Sequence, residues 1–319
     1  MRELSVVIPT RDTEALTLRA VASLRASAER LREIVVVDDG GSDGTAAALA
    51  RLGPSIVVLR TATSEGFTRA ANRGAAAATG EVILFLNSDT EVASDAPSEL
   101  LRAFAEDPRL GVAGALLRYP DGSPQWSAGP TPSLAWFFAM ASGAAALLHR
   151  VPGYTRARRV DQEGTAVAVS WVSGAAMAVR RATWTALGPF DERFFFYAQD
   201  LDLCLRAGAA GWTVALVPAA RVLHHHGATI GAGGKALRQD PNLLWRDLLR
   251  WAEKAHGRRY AARVRRALRA GARCRLLGRA LAGPFLAPAR RDALAADSLG
   301  YRQALADARA PSAAREPVD

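Results

Sequence analysis

The sequence predicts an α/β protein whose core is a parallel, doubly wound sheet flanked by helices. Three observations predict it: four short β-branched runs within the first 86 residues, helical stretches between them, and acidic turns closing two of the runs. The runs are LSVVIP (4–9), IVVVD (34–38), IVVL (56–59) and EVILFL (81–86). Each is bounded by Gly, Pro, Asp or Ser and nearly all apolar, as strands buried on both faces are. Between them, 13–31, 43–52 and 67–79 are rich in Ala, Leu and Arg. In the first of these, Leu18, Val21, Ala22 and Leu24 share one helical face. The order is β-α-β-α-β-α-β.

Past residue 110 the pattern loosens. Strand-like pieces at 111–118 and 166–172 are separated by a Pro, Gly and aromatic region over 119–160. A helix is expected to begin near Asp200, where Asp202 and Arg206 stand i, i+4 and can pair. A further strand covers TVALVP and runs on toward Leu223. The longest apolar stretch, Leu134 to Leu148, has 15 residues, short of the ~20 a bilayer needs, so it reads as a buried helix or a shallow surface contact.

The chain has 319 residues, half of them apolar, which excludes disorder throughout and allows one large or two modest domains. Its net charge of +10 is local. Residues 235–292 hold 16 Lys/Arg against 4 Asp/Glu, while 1–234 hold 22 against 23. Arg, Trp and Leu alternate in this helical segment, which admits three readings: a solvated face, nucleic-acid binding, or attraction to anionic lipid. Lipid suits the Trp/Leu content, and no nucleic-acid partner is expected. Cys204 and Cys274 lie far apart in sequence, so neither a disulfide framework nor a thiolate zinc site is supported. The N-terminus lacks a signal-peptide core, and the expected location is cytoplasmic, with peripheral contact at the inner face of the membrane.

Ligands on doubly wound sheets bind where strands end. Three strand ends stand out: Pro9-Thr10-Arg11-Asp12, Asp38-Asp39-Gly40-Gly41-Ser42-Asp43-Gly44, and Asn87-Ser88-Asp89. The second can hold a ribose or base through one Asp, or be a turn in which Ser42 or Asp43 caps the next helix. Neither a G-x-G-x-x-G after the first strand nor a P-loop occurs, so a bound diphosphate needs another partner, and a divalent cation on Asp89 is the usual substitute. Asp200 reads as a helix cap or as a base for a substrate hydroxyl. In His224-His225-His226 neighbouring side chains alternate, so a single metal ligand is preferred.

The order of these pieces carries a resemblance. The segments VVIPTRD (6–12), VVVDDGGSDGT (35–45), EGFTRAANRG (65–74), GEVILFLNSD (80–89), WVSGAAMAVRR (171–181), GPFDERFFFYAQDLDLCLR (188–206), GWTVALVP (211–218) and HHHGAT (224–229) resemble family 2 glycosyltransferases of the GT-A fold. The branch is that of bacterial rhamnosyltransferase-like enzymes. The resemblance, which covers roughly residues 4–230, implies a donor half over 1–110 and an acceptor and base half over 111–234 of one domain; composition adds a basic helical extension over 235–310, and Pro311 and Pro317 mark a tail over 311–319.

By the same resemblance Thr10, Asp38 and Asp39 hold the nucleotide's base and ribose, with Asn72 and Gly74 beside it. Asp89 matches the last acid of the D-x-D metal motif, and His224 or His225 can complete a Mg²⁺ or Mn²⁺ site. Asp200 matches the catalytic base, with Trp171, Gly174, Gln199 and Asp202 on the acceptor side. The chain departs from the pattern at Asn87, the first D-x-D position, at Gln199, where an acid usually precedes the base, and at Ser64, where Asn is common. The implied reaction is inverting transfer of a sugar, rhamnose in this branch, from a nucleotide-sugar donor to a glycan or lipid-linked acceptor. A sugar nucleotidyltransferase or a non-catalytic sugar-binding module is the competing reading.

Overall fold

A computed structural model describes residues 3–27, 31–53, 55–145, 166–225, 241–283 and 288–307. The chain divides into two compact units, one of Met1–Thr131 with Val151–Arg238 and one of Pro132–Arg150 with Gln239–Asp319.

The first unit opens with β1 (Leu4–Thr10), α1 (Glu14–Arg25), β2 (Leu31–Asp39), α2 (Thr45–Ala50), β3 (Ile56–Thr61), α3 (Phe67–Ala77) and β4 (Val82–Leu86), the alternation the sequence predicts. β2, β1 and β4 run parallel, and β3 continues the parallel set beyond β2. Residues alternate across this sheet: Val6, Ile8, Ile34 and Val36 enter one apolar layer, while Val7, Val35 and Val37 enter the other. Gly74 lets α3 lie against that second layer. A Cβ there would stand 2.4 Å from Val7 Cγ1 and 3.0 Å from Val37 Cγ2.

The later elements are β5 (Thr90–Val92), α4 (Ala96–Glu106), β6 (Leu110–Arg118), β7 (Ala128–Gly129), β8 (Val167–Ala168), β9 (Trp171–Val172) and β10 (Ala176–Arg180). They are followed in this unit by α6 (Arg181–Leu187), α7 (Gln199–Ala209) and β11 (Thr213–His224), while α5 (Leu134–Ser142) belongs to the second unit. Among the described residues the main sheet runs β3-β2-β1-β4-β10-β6-β11-β5, with β8 on β11. β10 lies antiparallel to β4 and β6, so the sheet is mixed. The strand expected over 166–172 is two short strands with different partners, β8 on β11 and β9 on β7. β11 is one strand with a register shift between Val217 and Arg221, which lets its end swing across to β5.

In the second unit α5 (Leu134–Ser142) is shorter than the apolar run that encodes it. The Ser133 hydroxyl accepts from Trp136 N–H at its start, and Gly143, at φ 81, ends it. Its last carbonyls, those of Met140 and Ala141, accept from the Arg275 guanidinium at 2.9 and 2.8 Å. That arginine belongs to α8 (Pro241–Ala282), which breaks at Gly257, and α9 (Pro288–Asp307) follows. Phe137 and Trp251, both buried, meet between α5 and α8 with ring centroids 6.3 Å apart and planes tilted by 43°. No helix among the described residues is long and apolar enough to cross a membrane. His226, the rest of the HHHGAT segment and the tail at 311–319 lie outside the described residues.

Candidate active site

β4 ends in Asn87-Ser88-Asp89, and β5 then turns back to pair with β11, setting Thr90 opposite His224. Two main-chain bonds fix this turn. Asn87 N–H donates to the Ala175 carbonyl at 3.0 Å, and His225 N–H donates to the Asp89 carbonyl at 2.8 Å. Asp89, just past the end of β4, is 1% exposed, and neither carboxylate oxygen has a hydrogen-bond partner among the described residues.

A buried carboxylate without donors is costly. His224 Nε2 lies 3.3 Å from Asp89 Oδ1, an ion pair only if the ring carries a second proton. Asn87 Nδ2 stands 3.4 Å from the same nitrogen. His225 faces away, to Glu91 at 2.7 Å. A carboxylate and an imidazole nitrogen converging in this way are a donor set that a divalent cation fits. No group of three or more His, Cys, Asp and Glu side chains placed to hold a metal occurs among the described residues.

α7 begins after Ala198, held at φ 67, and carries Asp200 in its first turn. Both Asp200 oxygens accept from main chain: Oδ2 from Gly174 N–H at 2.7 Å, Oδ1 from Leu201 N–H at 2.8 Å. Burial pushes this carboxyl above its ordinary value, while the two N–H groups pull it back. A Cβ at Gly174 would come within 3.3 Å of Asp200 Cβ and Oδ2, so the close approach uses a glycine. Gly174 and Ala175 thus form one short link. One residue holds Asp200 and the next holds Asn87, at the head of the turn that carries Asp89.

Around this link, Gln199 is buried and its Oε1 has no partner among the described residues. Asp202 pairs with Arg206 at 2.8 Å, and Arg206 Nη1 also donates to the Leu187 carbonyl at 2.6 Å. Trp171 donates from Nε1 to the Pro130 carbonyl at 2.9 Å and meets Trp126 edge to face, centroids 5.6 Å apart.

The acid-rich end of β2 divides its labour. Asp43 accepts from Thr45 N–H at 3.0 Å and from Glu14 N–H at 2.9 Å, so it caps α2 and α1 together. Asp39 accepts from Ser64 Oγ and from the N–H groups of Glu65 and Gly66 at 2.8 to 2.9 Å, bracing the loop into α3. Asp38 is fully buried and accepts from Gly41 N–H at 3.0 Å through Oδ1. Its Oδ2 lies 3.3 Å from Arg60 Nε without hydrogen-bond alignment. Burial pushes the Asp38 carboxyl up, against the pull of the Gly41 N–H and Arg60. Thr10 shares its hydroxyl with Thr13 and Thr17 at 2.8 and 2.7 Å. Asn72 is spent on the loop before α7: its amide donates to the Phe190 carbonyl and accepts from Phe190 N–H, both at 3.0 Å, and also donates to Glu192 Oε1 at 3.3 Å.

Sequence reasoning missed one residue beside the Asn87–Asp89 turn and His224, Gln125. Its Oε1 lies 2.9 Å from His224 Nδ1, and its Nε2 donates to the His224 carbonyl at 2.6 Å. The two residues are far apart in sequence, and Gln125 sits in the aperiodic 119–160 stretch, so no sequence signal pointed to it.

Comparison with known proteins bears on this arrangement. Residues 5–174 match the family model described as Glycosyl transferase family 2. The chain is 35% identical over 229 residues to an N-acetylglucosaminyl-diphospho-decaprenol L-rhamnosyltransferase of Mycobacterium tuberculosis, covering 67% of this chain and 73% of that protein. A shorter match, 40% over 60 residues, covers 18% of this chain and 23% of the rhamnosyltransferase WbbL of Escherichia coli. Among solved structures, a Pyrobaculum calidifontis mannosyltransferase in complex with GDP-Man and Mn²⁺ aligns with a TM-score of 0.56 at 17% identity, covering 97% of this chain and 84% of that one. S. aureus TarS 1-349 in complex with UDP-GlcNAc aligns with a TM-score of 0.53 at 17% identity, covering 96% and 91%. The fold shared with these structures is GT-A.

Proposed function

Because the chain belongs to glycosyl transferase family 2, we propose that it moves a sugar from a nucleoside-diphosphate donor to a hydroxyl of a glycan or lipid-linked glycan, with inversion. Family membership favours this over nucleotidyl transfer and over binding without turnover. The names of the relatives point to rhamnose as the sugar and to a polyprenyl-diphosphate-linked acceptor. The observation that carries the reading is the Gly174-Ala175 link, which ties Asp200 to the turn bearing Asp89.

In this reading the acceptor oxygen attacks the anomeric carbon, the bond from that carbon to the diphosphate oxygen breaks, and its electron pair leaves with the diphosphate. Asp200 takes the acceptor's proton as the new bond forms. Its raised proton affinity suits that task, and its two main-chain donors hold it in place. Asp38 Oδ2, buried and without a hydrogen-bond partner among the described residues, is the oxygen of the β2 end this reading assigns to the nucleoside. Asp89 and His224 hold a divalent cation, which when bound offsets the charge gathering on the leaving diphosphate. The Arg and Leu side chains along α8 form the surface toward anionic lipid.

The test compares two variants on a panel of nucleotide sugars with Mg²⁺ or Mn²⁺. Asp200→Asn is expected to keep nucleotide affinity and lose turnover by roughly 100- to 10,000-fold. Transfer at the wild-type rate in that variant would falsify the assignment of the base. Asp89→Ala is expected to lose the part of nucleotide binding that needs the metal, measured by titration with and without chelator. The acid limb of kcat/KM is expected above the ordinary aspartate value of 3.8, because the base must be deprotonated and burial raises its affinity for the proton.

A further inference from the structure

Gln125 is 3% exposed and is fixed at three points beside His224. Its main-chain N–H donates to the Leu117 carbonyl at 2.9 Å, seating the residue on β6. Its side-chain amide donates to two main-chain carbonyls, of His224 at 2.6 Å and of Arg118 at 3.3 Å. Carbonyl oxygens only accept, so the NH₂ end of the amide must face them. The opposite end, Oε1, then faces His224 Nδ1 at 2.9 Å. An amide oxygen also only accepts, so Nδ1 carries the ring proton. In the neutral ring Nε2 is then the acceptor, turned toward Asn87 Nδ2 at 3.4 Å and Asp89 Oδ1 at 3.3 Å.

We propose that Gln125 is a positioning residue that locks His224 in the Nδ1–H tautomer and thereby presents Nε2, beside the Asp89 carboxylate, as a ligand for a divalent cation. The inference rests on the metal site of the proposed function. It adds the residue that decides which ring nitrogen is offered. Partners that accept the far ring N–H of a metal-binding histidine fix both ring orientation and proton position, and losing one typically weakens metal affinity roughly 10- to 100-fold.

The experiment uses the full-length chain and Mn²⁺ alone. Long-range ¹H–¹⁵N correlations of the metal-free protein report the tautomer of each histidine, and the His224 signals are assigned by their loss in His224→Ala. Wild type is expected to show Nδ1 protonated and Nε2 bare at His224. Nε2–H at that ring overturns the proposal without any variant at Gln125. In Gln125→Met, which keeps length and removes the acceptor, the Nδ1–H signature is expected to fade. Mn²⁺ Kd, read by electron paramagnetic resonance, is expected to rise roughly 10- to 100-fold.

Gln125→Glu keeps an oxygen for Nδ1–H but loses both donations to the His224 and Arg118 carbonyls, so the Nδ1–H tautomer is expected to persist even where stability and Kd change. That variant also guards against misfolding of Gln125→Met, since loss of the Nδ1–H signature in a folded Gln125→Glu protein counts against the idea. A weakened Kd in His224→Ala with an unchanged Kd in Gln125→Met overturns the role of Gln125 alone. An unchanged Kd in His224→Ala overturns the metal reading, and the proposal with it.

Discussion

Asp38 and Asp39 are adjacent and both buried, yet they do different work. Asp39 receives hydrogen bonds from Ser64, Glu65 and Gly66, so replacing it strands donors in the loop into α3. Hydrogen bonds to a charged group are worth ~1.5–3 kcal/mol, and Asp39→Ala is expected to lower thermal stability by at least one such bond. Asp38 has one oxygen bonded to Gly41 N–H and the other outside hydrogen-bond alignment. Asp38→Asn is therefore expected to weaken nucleotide binding, by about tenfold for loss of ~1.4 kcal/mol, with little fall in stability near pH 7.

The sign of the pH effect at Asp38 follows from its raised proton affinity in the folded chain. The folded state holds the proton more tightly than the unfolded one, so this group's stabilising contribution is complete below the unfolded value and is lost as pH rises through the folded one. Asn mimics the protonated form at every pH. The melting temperature of Asp38→Asn relative to wild type is thus expected to rise from about pH 4 to about pH 7. Differential scanning calorimetry at both pH values checks it, and a difference that falls over that range contradicts the assignment.

At the scale of elements, what the sequence made legible is the half whose apolar runs are punctuated. β1, β2, β3 and β4 read directly, because each is β-branched and closed by Gly, Pro, Asp or Ser. β5 and α4 went unread: three residues carry too little period to see, and the helix follows them without a clear break. β10 could not be placed between β4 and β6 from sequence, since strand order is a tertiary fact. The same limit hid Gln125, whose link to His224 depends on β6 and β11 lying side by side. Asn72 shows a motif whose position was readable and whose contact was not. The resemblance sets it beside the nucleotide, and in the fold its amide clasps both polar groups of Phe190 main chain, tying α3 to the loop that leads into α7. Asn72→Ala is expected to cost about 1–3 kcal/mol and to slow transfer more than it weakens nucleotide binding. Chemical denaturation and separate kcat and nucleotide Kd measurements distinguish the two effects. A large loss of affinity at unchanged stability would make Asn72 a nucleotide contact instead.

Across the whole molecule, basicity is confined to the C-terminal segment, and its helix sorts it further. On α8, Arg259, Arg263, Arg266, Arg273, Leu277 and Leu281 recur at spacings of three and four residues or their sum and are exposed. They therefore share one face, arginine toward its start and leucine toward its end. Leu277 and Leu281 are 62% and 67% exposed, unlike the buried Val264 and Leu268 of the same helix. In the proposed lipid reading a headgroup boundary would take both, guanidinium on anionic phosphate and leucine into the acyl edge.

Each arginine near an anionic surface contributes ~1 kcal/mol, so replacing Arg263, Arg266 and Arg273 by Ser is expected to lower partitioning onto phosphatidylglycerol vesicles on the order of 100-fold. Added salt is expected to weaken wild-type binding and to narrow that gap, because surface charge is screened. Leu277→Glu with Leu281→Glu is expected to reduce vesicle binding while leaving the arginines in place. Vesicle flotation at low and high salt, against phosphatidylcholine as the neutral control, reads all three. Equal flotation of the leucine variant and wild type, or binding to duplex RNA that survives the leucine change while vesicle binding is absent, would remove lipid as the partner of this face.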